Sequence, residues 1–142
     1  MVGCVYCDKG DALSGVYKVC DLKASTVYIF REQTHRGRCV VAELDHHREL
    51  FELSDEERNA YMSDVAAVAK AINDVYSPDK INYGAFSDTM GHIHFHLVPK
   101  YKDEDEWGGT FVINLNKKFL TDEEYAEMAQ KLNDALKDYK SK

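Results

Sequence analysis

Apolar and polar residues change period several times along the chain, and each change marks an element. Three short runs rich in β-branched and aromatic residues lie between Gly15 and Val41: Val16 to Val19, Thr26 to Phe30 and Arg38 to Val41. Polar or glycine-containing segments separate them, so they read as neighbouring antiparallel strands. Ser54 and Glu57 then have capping-box spacing, in which a serine oxygen accepts a backbone N–H and a glutamate reaches back to the cap. Behind that start Tyr61, Val65, Val68, Ala69, Ile72 and Val75 recur every three or four residues, which predicts an amphipathic helix ending near Ser77-Pro78. Two further strands are expected at Ile81 to Phe86 and His92 to Val98, joined through Ser87-Asp88-Thr89-Met90-Gly91, a turn-rich segment of hairpin length. Thr121 and Glu124 repeat the capping-box spacing, and Tyr125, Met128, Ala129, Leu132, Leu136 and Tyr139 continue as a closing helix. The sum is an α+β arrangement: about five antiparallel strands, a long central helix and a C-terminal helix. The only prolines are Pro78 and Pro99, and no repeat or linker interrupts the pattern, so residues 1–142 read as one domain.

Composition narrows the partners. The 142 residues carry 18 Lys and Arg against 25 Asp and Glu, a net charge of -7, which makes a nucleic-acid polymer an unsuitable general partner. No stretch approaches the roughly 20 apolar residues that cross a bilayer, and the opening Met1 to Asp8 lacks a basic segment followed by an apolar run. A soluble, cytoplasmic protein is expected, with no membrane partner. The four cysteines are then expected as reduced thiols, Cys20 and Cys39 among them as core or half-buried residues.

Residues 92 to 98 read His-Ile-His-Phe-His-Leu-Val. Side chains alternate across a strand, so His92, His94 and His96 should share one face while Ile93, Phe95 and Leu97 face the core. Three imidazoles on one rigid strand suit either metal ligation or an imidazole nucleophile flanked by imidazoles that orient it and donate to an anion. Asn82, Thr89 and the Gly91 turn precede the strand and offer small polar donors for such an anion. Cys4-Val5-Tyr6-Cys7 has the spacing of half a zinc site.

On these residues the sequence resembles the histidine triad (HIT) family of nucleotide hydrolases and transferases, whose signature of alternating histidine and apolar residues is matched in full from His92 to Val98. The stretch from Gly37 to Ser54 and the run from Asn82 through Thr89 are similar to the family as well. The resemblance implies that His94 attacks the α-phosphorus of a nucleotide to give a nucleotidyl-histidine that water hydrolyses. It implies that His96 donates a proton at the phosphate or leaving group, as a partly protonated imidazole near neutral pH, with an activity limb to match. His92 would orient the site, and Asn82 and Thr89 would hold the phosphates. Asp21 falls near the family's ribose-binding acid. Arg38 stands where the family often has histidine, either to stabilise phosphate charge or as a surface residue. Ser87-Asp88-Thr89 replaces the family's Gly-Gln-Ser/Thr, putting a carboxylate near the phosphates.

Relatives that begin with Cys-x-x-Cys place a zinc on that pair, a distant histidine and the first triad histidine. Carried over, this gives Cys4, Cys7, His46 and His92 as a closed structural site, with His47 as the fallback for His46. His35 reads as a loop histidine, and Trp107, after an acidic turn, as a cap on the core.

The expectation is a homodimeric HIT-type hydrolase of a purine nucleoside 5'-phosphate derivative, a phosphoramidate or a dinucleoside polyphosphate, with zinc as its cofactor. The alternatives are a zinc-stabilised nucleotide-binding or interaction module without turnover, and a metal centre on all three triad histidines.

Overall fold

A computed structural model describes residues 3–8 and 15–142. A short helix α1 (Val5–Asp8) precedes strands β1 (Val16–Asp21), β2 (Ser25–Phe30) and β3 (Cys39–Glu43). Helix α2 (Asp55–Tyr76), strands β4 (Lys80–Gly84) and β5 (His94–Lys100), and helices α3 (Asp122–Ala135) and α4 (Lys137–Lys140) follow. The strands form one five-stranded antiparallel sheet in the order β1-β2-β3-β5-β4. The α+β expectation therefore holds, and both capping boxes form as read, Ser54 with Glu57 and Thr121 with Glu124. Among the described residues no helix is long and apolar enough to cross a membrane.

The two faces of the sheet differ in what covers them. Val27, Ile29, Cys39, Val41 and Leu97 face α2 and α3 and join Val65, Val68, Ile72, Met128 and Leu132 in the main core. Burial of such side chains contributes about 1.5–3 kcal/mol each, enough to fix which face turns inward. The Tyr61 hydroxyl donates to the Val41 carbonyl at 2.7 Å, satisfying the phenol inside this core. The opposite face carries Tyr28, Val40 and Ala42 and is covered by Cys4 and Tyr6 of the N-terminal segment. Because Ala42 pairs with His94 and Val40 with His96, two of the histidines lie on this second face.

Strand β5 starts two residues later than the apolar alternation suggests, and β4 stops at Gly84. The cause is the corner after β3. Ile93 N–H donates to His47 O at 2.9 Å, and Ile93 O accepts from Glu43 N–H at 3.1 Å, so His92 and Ile93 bond to that corner before the ladder begins. The β5 end runs to Lys100 through Pro99, past Leu97, the last β5 residue paired with β3, where a missing N–H is tolerated.

Asp64 fastens α2 to the rest. It is fully buried and accepts from Ala24 N–H at 2.9 Å, Ser25 Oγ at 2.7 Å and Tyr139 OH at 2.6 Å. Replacing Asp64 by Ala strands the buried Ser25 hydroxyl and two half-buried donors and should lower the unfolding free energy by about 3 kcal/mol, read by urea denaturation. A loss under about 0.5 kcal/mol, the scale of a neutral surface change, would refute this role.

Candidate functional site

Five elements meet over the start of β5. His92 lies in the turn before the strand, and His94 and His96 are its first and third residues. All three imidazoles are buried, His94 with 7% of its surface exposed. The ring of Tyr6 from α1 lies 4.8 Å from that of His94 and 5.7 Å from that of His92. On the far side Phe111 lies 6.2 Å from His96. It fits there because residue 84, paired with His96, is glycine: a Cβ at Gly84 would come within 2.6 Å of the Phe111 ring.

Each triad histidine has one ring nitrogen committed to a partner, and the partner's chemistry fixes the tautomer. His92 Nε2 is 2.6 Å from the Glu43 carbonyl, which can only accept, so Nε2 carries the proton and Nδ1 is a bare lone pair. His94 Nδ1 is 2.8 Å from the His92 carbonyl, so here Nδ1 is protonated and Nε2 is left with its lone pair. His96 reverses this. Its Nδ1 is 3.1 Å from Nη2 of Arg38, a group that can only donate, so Nδ1 accepts and Nε2 carries the proton. The ladder therefore offers a free lone pair on His94 beside an N–H on His96, with the two rings 5.3 Å apart.

The lone pair of His92 Nδ1 faces a cluster. Cys4 Sγ is 3.4 Å away, Cys7 Sγ 3.5 Å and His46 Nδ1 3.3 Å, while Cys7 Sγ is 3.4 Å from His46 Nδ1. A tetrahedral zinc with bonds of about 2.3 Å to sulfur and about 2.05 Å to nitrogen has edges near 3.6 Å and 3.3 Å, so these spacings suit such an ion. The four residues, all within 4.8 Å of one another, can hold a metal. His47 is not among them; its Nδ1 pairs with Glu43 at 2.7 Å. Among the described residues His94 and His96 belong to no group close enough to hold an ion.

Several other expectations change. Arg38 is no surface residue: it is fully buried, its guanidinium 4.0 Å from the Phe30 ring centre and 5.1 Å from that of Phe111. Thr89 stands exposed in the turn, and Ser87 reaches His94 instead, Oγ to Nδ1 at 3.2 Å. Ser87 occupies the place of the family's glycine and has φ of 57°, the left-handed conformation that glycine adopts freely. Asn82 lies on the triad face, paired with Val98, one residue pair beyond His96. Asp21 is not beside the triad. It shares a row with Thr26, Ala42 and His94 but sits three strands away, about 14 Å, where Lys18 and Thr26 bond it and a hollow of about 750 Å³ opens toward α2 and α4. Asp88 is exposed.

Sequence reasoning missed the residues that shape the segment over His96. Glu32 accepts from Lys117 and Lys118 N–H, each at 2.8 Å, and His35 is no free loop residue but is buried against Glu106 at 2.6 Å. Lys100 donates to the Glu106 and Gly109 carbonyls. These bonds fold 101–120 back so that Phe111 reaches the site, and they leave Trp107 42% exposed rather than capping the core. Single buried charges in polar runs give no periodic signal, which is why they were not visible.

A model of the HIT domain family matches residues 18–103, more than half of the chain. The protein is a member of the HIT family. It is 25% identical over 112 residues to adenosine 5'-monophosphoramidase hnt1 of Schizosaccharomyces pombe, covering 72% of this chain and 78% of that one. A histidine triad protein from Marinobacter aquaeolei VT8 superposes with a TM-score of 0.81 at 19% identity, covering 89% of this chain and 92% of that one. A Zn-bound histidine triad family protein from Mycobacterium smegmatis gives 0.68 at 18% identity, covering 98% and 96%.

Burial lowers the pKa of all three triad histidines, and for His96 the adjacent Arg38 cation and His94 take it to about 3. His96 is thus neutral near pH 7, against the expectation of a partly protonated imidazole. A histidine whose folded pKa lies below its unfolded value stabilises nothing by charging. Full stability persists above about pH 6.5 and falls as pH drops toward the folded value, by up to about 1.4 kcal/mol per unit. Urea denaturation between pH 6 and 4 should show this slope, and His96→Asn should flatten it; an unchanged slope would place His96 outside the acid transition.

Proposed function

We propose that this HIT protein hydrolyses the α-phosphate bond of a nucleoside 5'-phosphate derivative, a purine one, through a covalent nucleotidyl intermediate on His94. The observation that carries the reading is the committed tautomer of His94, whose Nδ1–H is held by a carbonyl so that Nε2 faces the site as a lone pair. In the first step that lone pair bonds to phosphorus and the leaving group departs. Positive charge developing on the imidazole is stabilised by the His92 carbonyl, aligned before the reaction begins. The His96 N–H is set to donate to a phosphoryl oxygen, and Asn82, on the same face of the sheet, would add to the phosphate contacts. In the second step water attacks phosphorus and gives up a proton to solvent, the bond from phosphorus to Nε2 breaks with its electron pair returning to Nε2, and the nucleoside monophosphate is released.

The relative named as an adenosine 5'-monophosphoramidase supports an adenine nucleotide and a P–N bond as the first substrate to try. AMP release from adenosine 5'-phosphoramidate should be measurable by chromatography, and His94→Ala should lower it by about a thousandfold or more. The rival reading, nucleotide binding without turnover, is favoured by the Tyr6 ring lying over His94. Nucleotide binding by calorimetry, with no release from the phosphoramidate or a dinucleoside polyphosphate, would establish that rival.

Cys4, Cys7, His46 and His92 would hold one zinc ion. The donor set is two thiols and two imidazoles at tetrahedral spacing, a closed structural site. Bound there, zinc would tie α1 and the 44–47 corner to the triad, and such a thiol site suits the reducing cytoplasm. Purified protein should contain one zinc per chain, and Cys7→Ala should lose it and melt at least about 10 °C lower. Metal retained by Cys7→Ala but lost by His94→Ala would contradict the assignment. A second copy would pair along the free edge β4, where Tyr83 is exposed.

A further inference from the structure

Arg38 is a cation in an unusual setting. It is fully buried, its Nε has no partner, and no carboxylate oxygen lies within 4 Å of it among the described ion pairs. Its Nη1 donates to the Val112 carbonyl at 3.3 Å and its Nη2 to His96 Nδ1 at 3.1 Å, with the plane held between Phe30 and Phe111. Burying an unpaired guanidinium costs several kcal/mol. The fold nevertheless prepares the position: Gly37 has φ of 97°, its N–H is held by Gln33 Oε1 at 2.8 Å, and Gln33 Nε2 binds the Arg38 carbonyl at 3.0 Å.

We propose that Arg38 is a positioning residue that acts through His96: it locks His96 as a neutral Nε2–H donor and so selects substrates whose leaving group departs as a stable oxyanion over those that depart as an amine. The proposal rests on the hydrolase reading above and specifies its substrate class. Nη1 and Nη2 each make one hydrogen bond and the whole side chain is buried, so the guanidinium does not lie open to phosphate itself. A second proton on His96 would have to sit on Nδ1, facing the Arg38 N–H and a full positive charge. The titratable groups bearing on His96 are Arg38, just before β3, and His94 on its own strand; Phe30 and Phe111, on the other elements packed against it, are uncharged.

The chemistry of the first step follows from that proton inventory. His94 Nε2 forms a bond to phosphorus, and the bond from phosphorus to the leaving atom breaks with its electron pair on that atom. If the atom is a phosphate oxygen, the departing polyphosphate is stable as an anion and needs only a hydrogen bond from His96 Nε2–H. If it is an amine nitrogen, the departing amide anion must acquire a proton. His96 holds a single proton, so it could supply one only by becoming an imidazolate or by drawing a proton from the Arg38 guanidinium onto Nδ1, and both cost more than the hydrogen bond that an oxyanion needs. A dinucleoside polyphosphate or other mixed phosphoanhydride is therefore the better substrate class, and a phosphoramidate the poorer.

Two readouts test this on the full-length protein: the ratio of kcat/KM for a dinucleoside tetraphosphate to that for adenosine 5'-phosphoramidate, and the tautomer of His96 by nitrogen-detected NMR across pH 5 to 8. Arg38→Met keeps the stem between the rings without charge or donor, and Arg38→Lys restores the charge. The parent and Arg38→Lys should favour the polyphosphate, with His96 in the Nε2–H form throughout. Arg38→Met should shift the ratio at least about tenfold toward the phosphoramidate, with His96 titrating at higher pH than in the parent. A ratio moved less than twofold, a His96 that is doubly protonated in the parent at pH 7, or equal rises in KM for both substrates would overturn the proposal, the last by assigning Arg38 to direct phosphate binding. A parent inert to both substrates would overturn the hydrolase reading and the selection with it, while the NMR result decides the tautomer lock separately.

Discussion

The site depends on how His92 is held. Its ring and its carbonyl make three commitments at once: Nε2–H to the Glu43 carbonyl, Nδ1 toward Cys4, Cys7 and His46, and the carbonyl to His94 Nδ1–H. The first two place the ring between β3 and the N-terminal segment. The third transmits that placement to the next histidine, because a carbonyl admits one tautomer only. Buried polar groups of this kind are stable when every partner is present and costly when one is missing. The cysteine pair thus bears on the His94 ring through a backbone carbonyl, without touching it.

The same logic, reversed in sign, governs His96. There the partner is a cation that can only donate, and the proton moves to the other ring nitrogen. Two identical side chains, two residues apart on the same face of β5, are given opposite tautomers by a carbonyl and a guanidinium. Their pairing with β3 residues Ala42 and Val40, small and medium in size, leaves room for both rings on that face. Aromatic rings from α1 and from the 101–120 segment then exclude water, so each hydrogen bond acts in a medium of low polarity.

Much of this was legible in the chain, for reasons that differ by element. The helices announced themselves because burial on one face imposes a period and because Ser54 with Glu57 and Thr121 with Glu124 are local devices. The histidine alternation survived folding for the same reason: Phe95 and Leu97 must face the core. The strand start did not, since the bonds of Ile93 to the 43–47 corner are long-range and carry no local mark. The meeting of Cys4 and Cys7 with His46 and His92 was anticipated from the resemblance, whereas their spacing alone defined only half a site. Arg38 and Ser87 were visible as departures from the family, but their consequences are geometric. One is buried against His96, and the other takes up a positive φ and turns its hydroxyl to His94.

The central claim is that His94, with its Nε2 lone pair, is the group that bonds to phosphorus. Rapid acid-free quenching of the protein during turnover, followed by mass spectrometry of the peptide spanning 92–98, tests it directly. The account predicts a nucleotidyl adduct on His94 that forms and decays within turnover. An adduct on His92 or His96, or turnover with no protein-bound nucleotide at any time, would contradict it.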